Sequence, residues 1–329
     1  MTRGHRNLDE DDVRVRARGG SRPRTRNRPK HEDARQGFVT AVDRGRYRCL
    51  VDDRSVVAMK ARELGKGSIV VGDRVALVGD LSGSAGSLAR VVRVEPRTAV
   101  LRRTADDTDP VERVIVANAD QLVIVCSLAD PEPQPRFVDR CLVAAYDAGL
   151  DPLLCLTKSD LAPADTLLAS YSALGVPAAV TRSDSAEDIA ALREHLLARL
   201  SVMVGSSGVG KSTLVNLLVP DAARAVGHVN PVTGRGRHTS TSAAALPIDG
   251  GWIIDTPGVR SFGLAHVSPD DVVAGFTDLA AAVVDCPANC AHTEESPGCA
   301  LDIGVAAGRL DPARVASLRR LIHSREPTE

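Results

Sequence analysis

Between Gln36 and Glu95, short apolar runs of strand length alternate with turn signals roughly every ten residues. The runs are rich in Val and no amphipathic helix separates them; they read GFVTAVDRGRYRCLVDD, VVAMKARELG, IVVGDRVALVGD and SLARVVRVEP. Short strands at this spacing are typical of a small all-β protein. We predict an OB-type barrel of about five strands over residues 36–96, although the pattern fits an SH3-like or other small barrel nearly as well.

After Pro96 the apolar pattern changes to strands that alternate with helices. VERVIVANADQLVIVCSL and DPLLCLTKSD are near-continuous apolar runs, and RFVDRCLVAAYDAG between them has apolar residues at helical spacing. VPAAVT follows as a strand, Ser185 and Asp188 form a capping-box pattern before a helix, and Val202–Val204 is another short strand. This alternation favours a parallel sheet covered on both faces, which we assign to residues 97–267.

From about Ser268 the strands cease, and we predict a helical domain over residues 268–329. A length of 329 residues suits two or three domains. With 43% apolar and 25% charged residues, the composition excludes a wholly disordered, collagen-like or coiled-coil protein.

No apolar run approaches roughly 18 residues and the N-terminus lacks an apolar signal segment, so we expect a cytoplasmic protein without a membrane partner.

The N-terminal residues 1–35 are predicted to form a disordered basic tail. Val13–Lys30 contains seven Arg and one Lys without an acid, whereas the whole chain has a net charge of −1. Low hydrophobicity, two prolines and a Gly-Gly pair argue against a fold of its own. Runs of Arg bind polyanions, which favours an arm that contacts phosphates; a solubilising tail is the alternative.

A phosphate-binding loop follows the strand Val202–Val204. The residues Gly205, Ser206, Ser207, Gly208, Val209, Gly210, Lys211 and Ser212 match GxxxxGK[ST] in full, and Thr213 continues into a helical run. The glycines let backbone N–H groups cradle the β-phosphate, Lys211 reaches the β- and γ-phosphate oxygens, and Ser212 offers its hydroxyl to Mg²⁺. These residues are therefore predicted to bind a nucleotide together with Mg²⁺.

The segment Thr157-Lys158-Ser159-Asp160, at the end of an apolar strand, indicates which base is bound. In guanine-specific G proteins, the carboxylate of an [NT]KxD loop accepts hydrogen bonds from guanine N1–H and the 2-amino group, and the Lys stem covers the ring. Adenine lacks this pair of donors, so the segment favours GTP and GDP. Ser183, at the end of the next strand, stands where a second base loop belongs. A coincidental match in a P-loop ATPase or small-molecule kinase is the alternative.

A DxxG pattern, Asp255-Thr-Pro-Gly258, follows the strand WII. Asp255 can hold Mg²⁺ through a water, and the Gly258 N–H can meet the γ-phosphate. Upstream of it, the polar, Gly-rich stretch GRGRHTST is suited to a switch loop in which Thr239, or alternatively Thr241, closes on Mg²⁺. An ordinary loop without this role is the alternative.

The order of these motifs is unusual, because the base-reading loop precedes the phosphate-binding loop. Ordinary G proteins place it after DxxG, whereas this chain runs G4, G5, G1, G2, G3. A circular permutation explains the order and keeps every loop at the carboxyl end of its strand, where parallel sheets bind ligands. The chain then leaves the nucleotide domain directly from DxxG.

Three of the seven cysteines lie close together near the C-terminus. The pattern Cys286-x3-Cys290-x-His292-x6-Cys299 offers three thiolates and one imidazole, which suits one closed tetrahedral structural Zn²⁺ site. A metal-free helical domain with free thiols is the alternative. The other four cysteines stand alone in apolar runs and are predicted to be buried thiols; they are Cys49, Cys126, Cys141 and Cys155.

The motifs TKSD, GSSGVGKST, GRGRHTST and DTPG in this order, with a barrel before them and a Cys/His cluster after them, resemble the circularly permuted ribosome-assembly GTPases. The resemblance is to those that depend on the small subunit, and it spans about Gln36 to Arg320. It implies an OB-fold, a circularly permuted α/β P-loop GTPase domain and a helical zinc-binding domain. It also implies that the 30S subunit stimulates GTP hydrolysis. The family pattern is usually Cys-x4-Cys-x-His-x5-Cys, so one spacing here is a residue shorter and one a residue longer.

The residue after DxxG is Val259, where many GTPases carry the Gln that orients the attacking water. Slow intrinsic hydrolysis is therefore expected. The resemblance implies that His238 positions this water once the ribosome orders its loop, which would make His238 catalytic. A His that contacts phosphate or is merely exposed is the alternative.

Taken together, these patterns predict a monomeric GTPase that binds the 30S subunit and its rRNA and assists late maturation of that subunit. Two other functions stay open. One is a P-loop ATPase or kinase in which TKSD is incidental, and the other is an RNA-binding adaptor whose nucleotide site is only structural.

Overall fold

Along the chain, the described residues form a barrel of strands, then a sheet with helices, and then a group of helices. The sequence pattern predicts the same succession of three sections. The computed structural model describes residues 31–64, 69–103, 113–220, 243–256, 262, 264 and 267–325. The basic run Val13–Lys30 lies outside these residues, so its predicted disorder and phosphate contacts stay predictions.

A five-stranded barrel forms the N-terminal section. Its strands are β1 (Arg35–Asp43), β2 (Arg46–Val51), β3 (Arg54–Lys60), β4 (Arg74–Gly79) and β5 (Ala89–Val94). They pair in the order β1-β2-β3-β5-β4, and β4 returns to pair with β1, which closes the barrel. The β3–β5 pair is parallel and the others are antiparallel. This closed order is OB-like, so the OB-type prediction is confirmed over the SH3-like alternative. The interior is filled mostly by aliphatic side chains, together with Tyr47 and the buried thiol of Cys49.

The central section is a mostly parallel sheet. Its strands are β8 (Gln121–Ser127), β9 (Asp151–Thr157), β10 (Ala178–Val180), β11 (Leu200–Val204), β12 (Ala244–Ile248) and β13 (Gly251–Asp255). They lie in the order β10-β9-β8-β11-β13-β12, and only β12 runs antiparallel to its neighbour. Every residue of β8 and β11 is buried, as expected of strands covered on both faces. The carboxyl ends of β8, β9, β11 and β13 therefore meet at one edge.

Among the described residues, four helices belong to this sheet: α1 (Pro135–Asp147), α2 (Asp165–Ser172), α3 (Ala186–Leu196) and α4 (Lys211–Leu218). The predicted N-cap is present, because the Ser185 side chain accepts from the Asp188 N–H at 3.2 Å. The carboxylate of Asp188 accepts from the Arg182 N–H at 2.9 Å and so fixes the turn before α3 as well.

The junction between barrel and sheet is close-packed. A hairpin of β6 (Val100–Arg103) and β7 (Arg113–Ala117) lies beside it. Gly72 has a φ of +93°, and a Cβ there would lie 1.9 Å from the carbonyl oxygen of Ala117, so only glycine fits. On the other side β1 pairs with β12 at Ala41 and Ala244, which makes barrel and sheet continuous.

The C-terminal section is helical, as predicted. It contains α5 (Pro269–Ala274), α6 (Thr277–Val283), α7 (Ala300–Ala306) and α8 (Pro312–Ser324). Leu318 and Leu321 of α8 share one hydrophobic core with Val138 and Leu142 of α1. The C-terminal helices are thus packed onto the sheet section, and the predicted domain limits stay predictions. Across the described part of the chain, no helix combines the length and apolar character needed to cross a membrane.

Candidate functional site

The GxxxxGK[ST] segment forms a tight loop between β11 and α4. The strand ends at Val204 and the helix begins at Lys211. Gly208 and Gly210 have φ angles of +83° and +94°, which glycine adopts without strain. A Cβ at Gly205 would lie 2.8 Å from the carbonyl oxygen of Val125. This backbone leads directly into a helix N-terminus, where unpaired N–H groups attract anions.

The base-reading segment and the phosphate loop are joined by a buried hydrogen bond. Thr157 is the last residue of β9, and its hydroxyl donates to the carbonyl oxygen of Val209 at 2.6 Å. Thr157 also contacts the carbonyl of Cys126 at the end of the neighbouring strand β8. Two residues that are 52 positions apart in the chain, one in each motif, are therefore held together by one side chain.

A pocket of about 270 Å³ lies between these two motifs. It is lined by Thr157, Lys158, Asp160, Leu161, Thr181, Ser183, Gly210, Thr213 and Leu214. The residues come from the TKSD segment, the end of β10 and the start of α4. The pocket thus combines one carboxylate with aliphatic walls, which suits a flat heterocycle with hydrogen-bond donors on one edge.

Lys158 is held in a conformation unusual for a side chain larger than glycine. Its φ is +60°, and its Nζ donates to the carbonyl oxygen of Asp130 in the loop after β8. This contact lays the Lys158 stem across one side of the pocket. Ser159 is fixed at the end of β10, because its N–H donates to the Thr181 carbonyl at 3.4 Å.

The start of the DxxG motif reaches the same site. Lys211 Nζ and Asp255 Oδ1 form an ion pair in which both side chains are largely buried. The hydroxyl of Thr256 donates to the Met203 carbonyl at 2.8 Å, which fixes the end of β13 against β11. The phosphate-loop lysine and the DxxG carboxylate therefore share one small region, as Mg²⁺-nucleotide chemistry requires.

Other predicted residues lie outside the described part of the chain. These are His238, Thr239, Thr241 and Gly258. Ser207 and Ser212 lie in the loop and in the first turn of α4, and the hydroxyl of Ser206 donates to Gln134 Oε1 at 3.0 Å.

Sequence reasoning missed Leu161 and Leu214, which line the pocket, and Gln134, which accepts a hydrogen bond from Ser206 of the phosphate loop. Leu161 is 58% exposed although it is apolar. Its position directly after TKSD is the feature of the sequence that could have indicated a wall of the pocket.

A second candidate site lies in the helical section. Atoms that could ligate a metal come from Cys286, Cys290, His292 and Cys299, and all lie within 4.8 Å of one another. The Cys286 Sγ lies 3.6 Å from His292 Nδ1 and 4.0 Å from the Cys299 Sγ. A tetrahedral zinc with bonds of about 2.0–2.3 Å separates its ligand atoms by roughly 3.5–3.8 Å. The four predicted residues are therefore grouped as a tetrahedral metal site requires, and their ligand atoms would have to move together by at most about 1 Å to bind the ion.

A carboxylate outside this cluster, that of Asp270, orients the imidazole of His292. His292 Nε2 lies 3.2 Å from Asp270 Oδ1, so the carboxylate favours a proton on Nε2 and leaves Nδ1 facing the sulfurs. The His292 ring is buried, and the Ala300 N–H donates to the Cys286 Sγ at 3.2 Å. A carboxylate behind the histidine and an N–H on a thiolate are both typical of structural metal centres.

Comparison with known proteins relates the chain to one family. A family model described as RsgA GTPase matches residues 94–265. The small ribosomal subunit biogenesis GTPase RsgA of Pseudomonas syringae pv. tomato is 42% identical over 265 residues, which cover 78% of this chain and 75% of the relative. The protein of the same name from Pseudomonas aeruginosa is 40% identical over 270 residues, covering 80% and 77%.

Two solved structures share the fold. YjeQ from Thermotoga maritima has a TM-score of 0.66 and 26% identity, covering 89% of this chain and 98% of its own. YloQ, described as a circularly permuted GTPase, has a TM-score of 0.65 and 23% identity, covering 92% and 100%. The permuted fold inferred from the order of the motifs is thereby confirmed.

Proposed function

The chain belongs to the RsgA GTPase family, and on that premise we propose that it hydrolyses GTP during maturation of the small ribosomal subunit. It is a GTPase, and guanine nucleotide is its substrate. The observation that supports this most directly is the pocket bounded by TKSD on one side and the phosphate loop on the other. The hydrogen bond from Thr157 to Val209 fixes their separation.

In this proposal the guanine ring lies in the pocket, with Asp160 accepting from N1–H and the 2-amino group. The Lys158 stem covers one face of the ring, and Ser183 lies at the edge of the base. The segment Gly205–Thr213 wraps the phosphates, and Lys211 leaves Asp255 to contact the β- and γ-phosphates. Lys211 thereby exchanges the single negative charge of Asp255 for the more highly charged β- and γ-phosphates. This exchange favours binding of a nucleoside triphosphate.

The Mg²⁺ ion is held by Ser212, by Asp255 through water, and by Thr239 or alternatively Thr241. Gly258 meets the γ-phosphate. Because Val259 has no hydrogen-bonding side chain, hydrolysis needs another group to orient the water. We assign that role to His238, brought into place when the ribosome orders its loop.

One structural zinc ion is held by Cys286, Cys290, His292 and Cys299. The closed set of four donors leaves no position for substrate, so the ion stabilises the fold rather than taking part in hydrolysis. The zinc cluster then defines the shape of the helical section that follows DxxG.

The partner in this proposal is the 30S subunit, because the relatives from Pseudomonas are named small ribosomal subunit biogenesis GTPases. The OB-like barrel and the basic tail supply surfaces for rRNA, because cationic side chains release counterions from the phosphate backbone. The protein acts as a monomer in the cytoplasm, where ribosomal subunits mature.

The test is GTP turnover with and without purified 30S subunits, with 50S subunits and ATP as controls. Stimulation of GTP hydrolysis by 30S alone is expected, and Lys211→Ala should abolish it. Equal turnover of ATP would favour the ATPase or kinase alternative. Tight GTP binding without 30S-stimulated turnover would favour the RNA-binding adaptor.

A further inference from the structure

Arg193 of α3 carries a guanidinium group that contacts the end of α4, the helix that follows the phosphate loop. Its Nη2 donates to the carbonyl oxygen of Leu217 at 3.1 Å and to that of Leu218 at 2.7 Å. Leu218 is the last residue of α4, and Lys211 is the first. Resting on the GTPase function above, we propose that Arg193 is a positioning residue that keeps α4 ordered before a nucleotide binds and so preorganises the phosphate site.

The last turn of α4 needs donors from outside the helix. Carbonyl groups at a helix C-terminus have no partners within the helix and carry partial negative charge. The Val215 carbonyl still accepts from the Val219 N–H at 2.8 Å, whereas those of Leu217 and Leu218 accept from Arg193. An arginine suits this position because it brings both N–H donors and a positive charge. It therefore caps α4 at the end opposite the phosphates.

The cap matters because α4 is short. The helix has eight residues, about two turns, and isolated helices of this length are not stable in water. Its sequence KSTLVNLL includes Ser, Thr, Val and Asn, which have low helix propensity. Its order must therefore come from packing and from its two ends. Phosphates stabilise the N-terminal end only while a nucleotide is bound, so the free protein relies on packing and the C-terminal cap.

Packing alone does not fix the last turn of α4. Leu214 and Leu218 of α4 share a hydrophobic core with Leu192 and Leu196 of α3. Burial of apolar side chains is non-directional, so it holds the two helices together without specifying hydrogen bonds. Arg193, next to Leu192 in α3, adds the directional contacts.

The other end of α4 belongs to the nucleotide site. Thr213 and Leu214 line the pocket, and Lys211 and Ser212 are the residues assigned above to the phosphates and Mg²⁺. Every residue of α4 belongs to the described part of the chain, and its two ends are about 10 Å apart. Fraying that starts at the uncapped end therefore reaches the phosphate site within two turns. The apparent nucleotide affinity then falls in proportion to the fraction of protein with an ordered α4.

A carboxylate also lies near Arg193, but it is too exposed to position α4. Arg193 Nη1 is 3.6 Å from Oδ2 of Asp249, in the turn between β12 and β13, and the Asp249 side chain is 84% exposed. Ion pairs as exposed as this one contribute little to stability. Asp249→Asn thus removes the ion pair and leaves the helix cap in place.

The proposal predicts an effect on GDP and GTP alike, because both place their phosphates on the same end of α4. Arg193→Met should weaken binding of GDP and of a non-hydrolysable GTP analogue by about three- to tenfold, the effect of losing a charged helix cap. Hydrogen exchange in α4 should become faster in the nucleotide-free variant. With GDP bound, it should return towards the wild-type rate, because the phosphates then stabilise the helix.

The experiment compares Arg193→Met, Arg193→Lys, Asp249→Asn and Arg199→Met in the full-length protein. Arg199 follows α3 and is the matched control. Its side chain is 40% exposed, against 31% for Arg193, and it pairs with Asp151 at 2.7 Å rather than with α4. For each variant, the affinities for GDP and the GTP analogue, the melting temperature, and hydrogen exchange in α4 with and without GDP are measured.

We expect weaker binding and faster exchange in α4 for Arg193→Met, partial recovery in Arg193→Lys, and wild-type affinities in the other two variants. Unchanged affinities in Arg193→Met would overturn the proposal, as would an equal loss in Arg199→Met or Asp249→Asn. Faster exchange throughout the sheet section would also overturn it, because that pattern indicates general destabilisation. If Arg193→Met does not fold, the same measurements on Arg193→Lys decide. Failure of the wild type to bind guanine nucleotides would instead refute the proposed function.

Discussion

Arg319 of α8 donates through Nε to the backbone carbonyl of His292 at 3.0 Å, which ties the last helix to the Cys/His cluster. The same guanidinium bonds Asp302 of α7 at 2.9 Å and is 8% exposed. The loop that carries the imidazole is therefore held by a helix that also packs on α1. The fold of the helical section and the geometry of the metal cluster consequently depend on each other.

We predict that the purified protein contains about one zinc ion per chain and that Cys286→Ala loses it. Structural zinc contributes its binding free energy to folding, so this variant should unfold mainly in the C-terminal helices. Elemental analysis gives the metal content, and hydrogen exchange shows which helices lose protection. Cys49→Ala, which removes a barrel thiol, should keep the metal. Protein prepared without chelator that contains no zinc would refute the assignment.

A second prediction concerns Thr157, whose hydroxyl joins the base-reading segment to the phosphate loop. Thr157→Val keeps the shape of the side chain but leaves the buried Val209 carbonyl without this donor, at a cost of about 1–3 kcal/mol. We expect lower stability and weaker binding of GTP and GDP alike, because both nucleotides use the base pocket. Thr157→Ser, which retains the hydroxyl, should behave nearly as the wild type in calorimetric titrations. Equal behaviour of the two variants would show that the bond contributes nothing to the site.

Contiguous motifs were predictable from sequence because their chemistry is local. The phosphate loop at Gly205–Ser212, TKSD and the cysteine cluster each specify their function within a few residues, and the order of the motifs revealed the permutation. The choice between OB-type and SH3-like barrels was not predictable, because it depends on which strands pair. The run VERVIVANADQLVIVCSL also concealed a break at Asn118, where a φ of +55° separates β7 from β8.

Contacts across long chain separations gave no sequence signal at all. Arg140 lies within an ordinary amphipathic helix, and its partners Phe262 and Ser324 contribute only backbone carbonyls. Any residue type can supply a carbonyl, so no pattern marks such a bond. Gln134 likewise meets Ser206 only because the loop after β8 passes over the phosphate loop.

The third prediction tests the base assignment. Asp160→Asn should weaken GTP binding by tenfold or more, since hydrogen bonds to a carboxylate contribute about 1.5–3 kcal/mol each. Xanthosine triphosphate carries an oxygen in place of the 2-amino group, and the amide can donate to it. Its affinity should therefore be retained or increased. Asp165→Asn, in the first turn of α2, is the matched charge control in nucleotide-binding titrations. An equal loss for both nucleotides would remove Asp160 from the site.

A fourth prediction concerns the basic tail. Deletion of residues 1–30 should leave GTP binding unchanged but weaken binding to 30S subunits. Its cationic side chains should release counterions on meeting rRNA, so the deletion should also make the dependence of affinity on salt shallower. The affinity is measured at several salt concentrations. A variant with the Arg residues of Val13–Lys30 changed to Lys keeps the charge and serves as control. An unchanged affinity and salt slope would support a solubilising tail.

The last prediction concerns His238, which lies outside the described residues and follows from the sequence and the family resemblance. Val259 cannot orient water, and the stretch containing His238 is the polar segment closest to DxxG in the motif order. If the 30S subunit orders this stretch, the imidazole can accept or direct a proton of the attacking water. His238→Ala should then retain GTP binding and the slow intrinsic turnover but lose most of the stimulation by 30S. His238→Gln, which can still hydrogen-bond to water, should keep part of it. Stimulation that persists in His238→Ala while the variant still binds 30S would place the catalytic group on the ribosome or elsewhere in the chain.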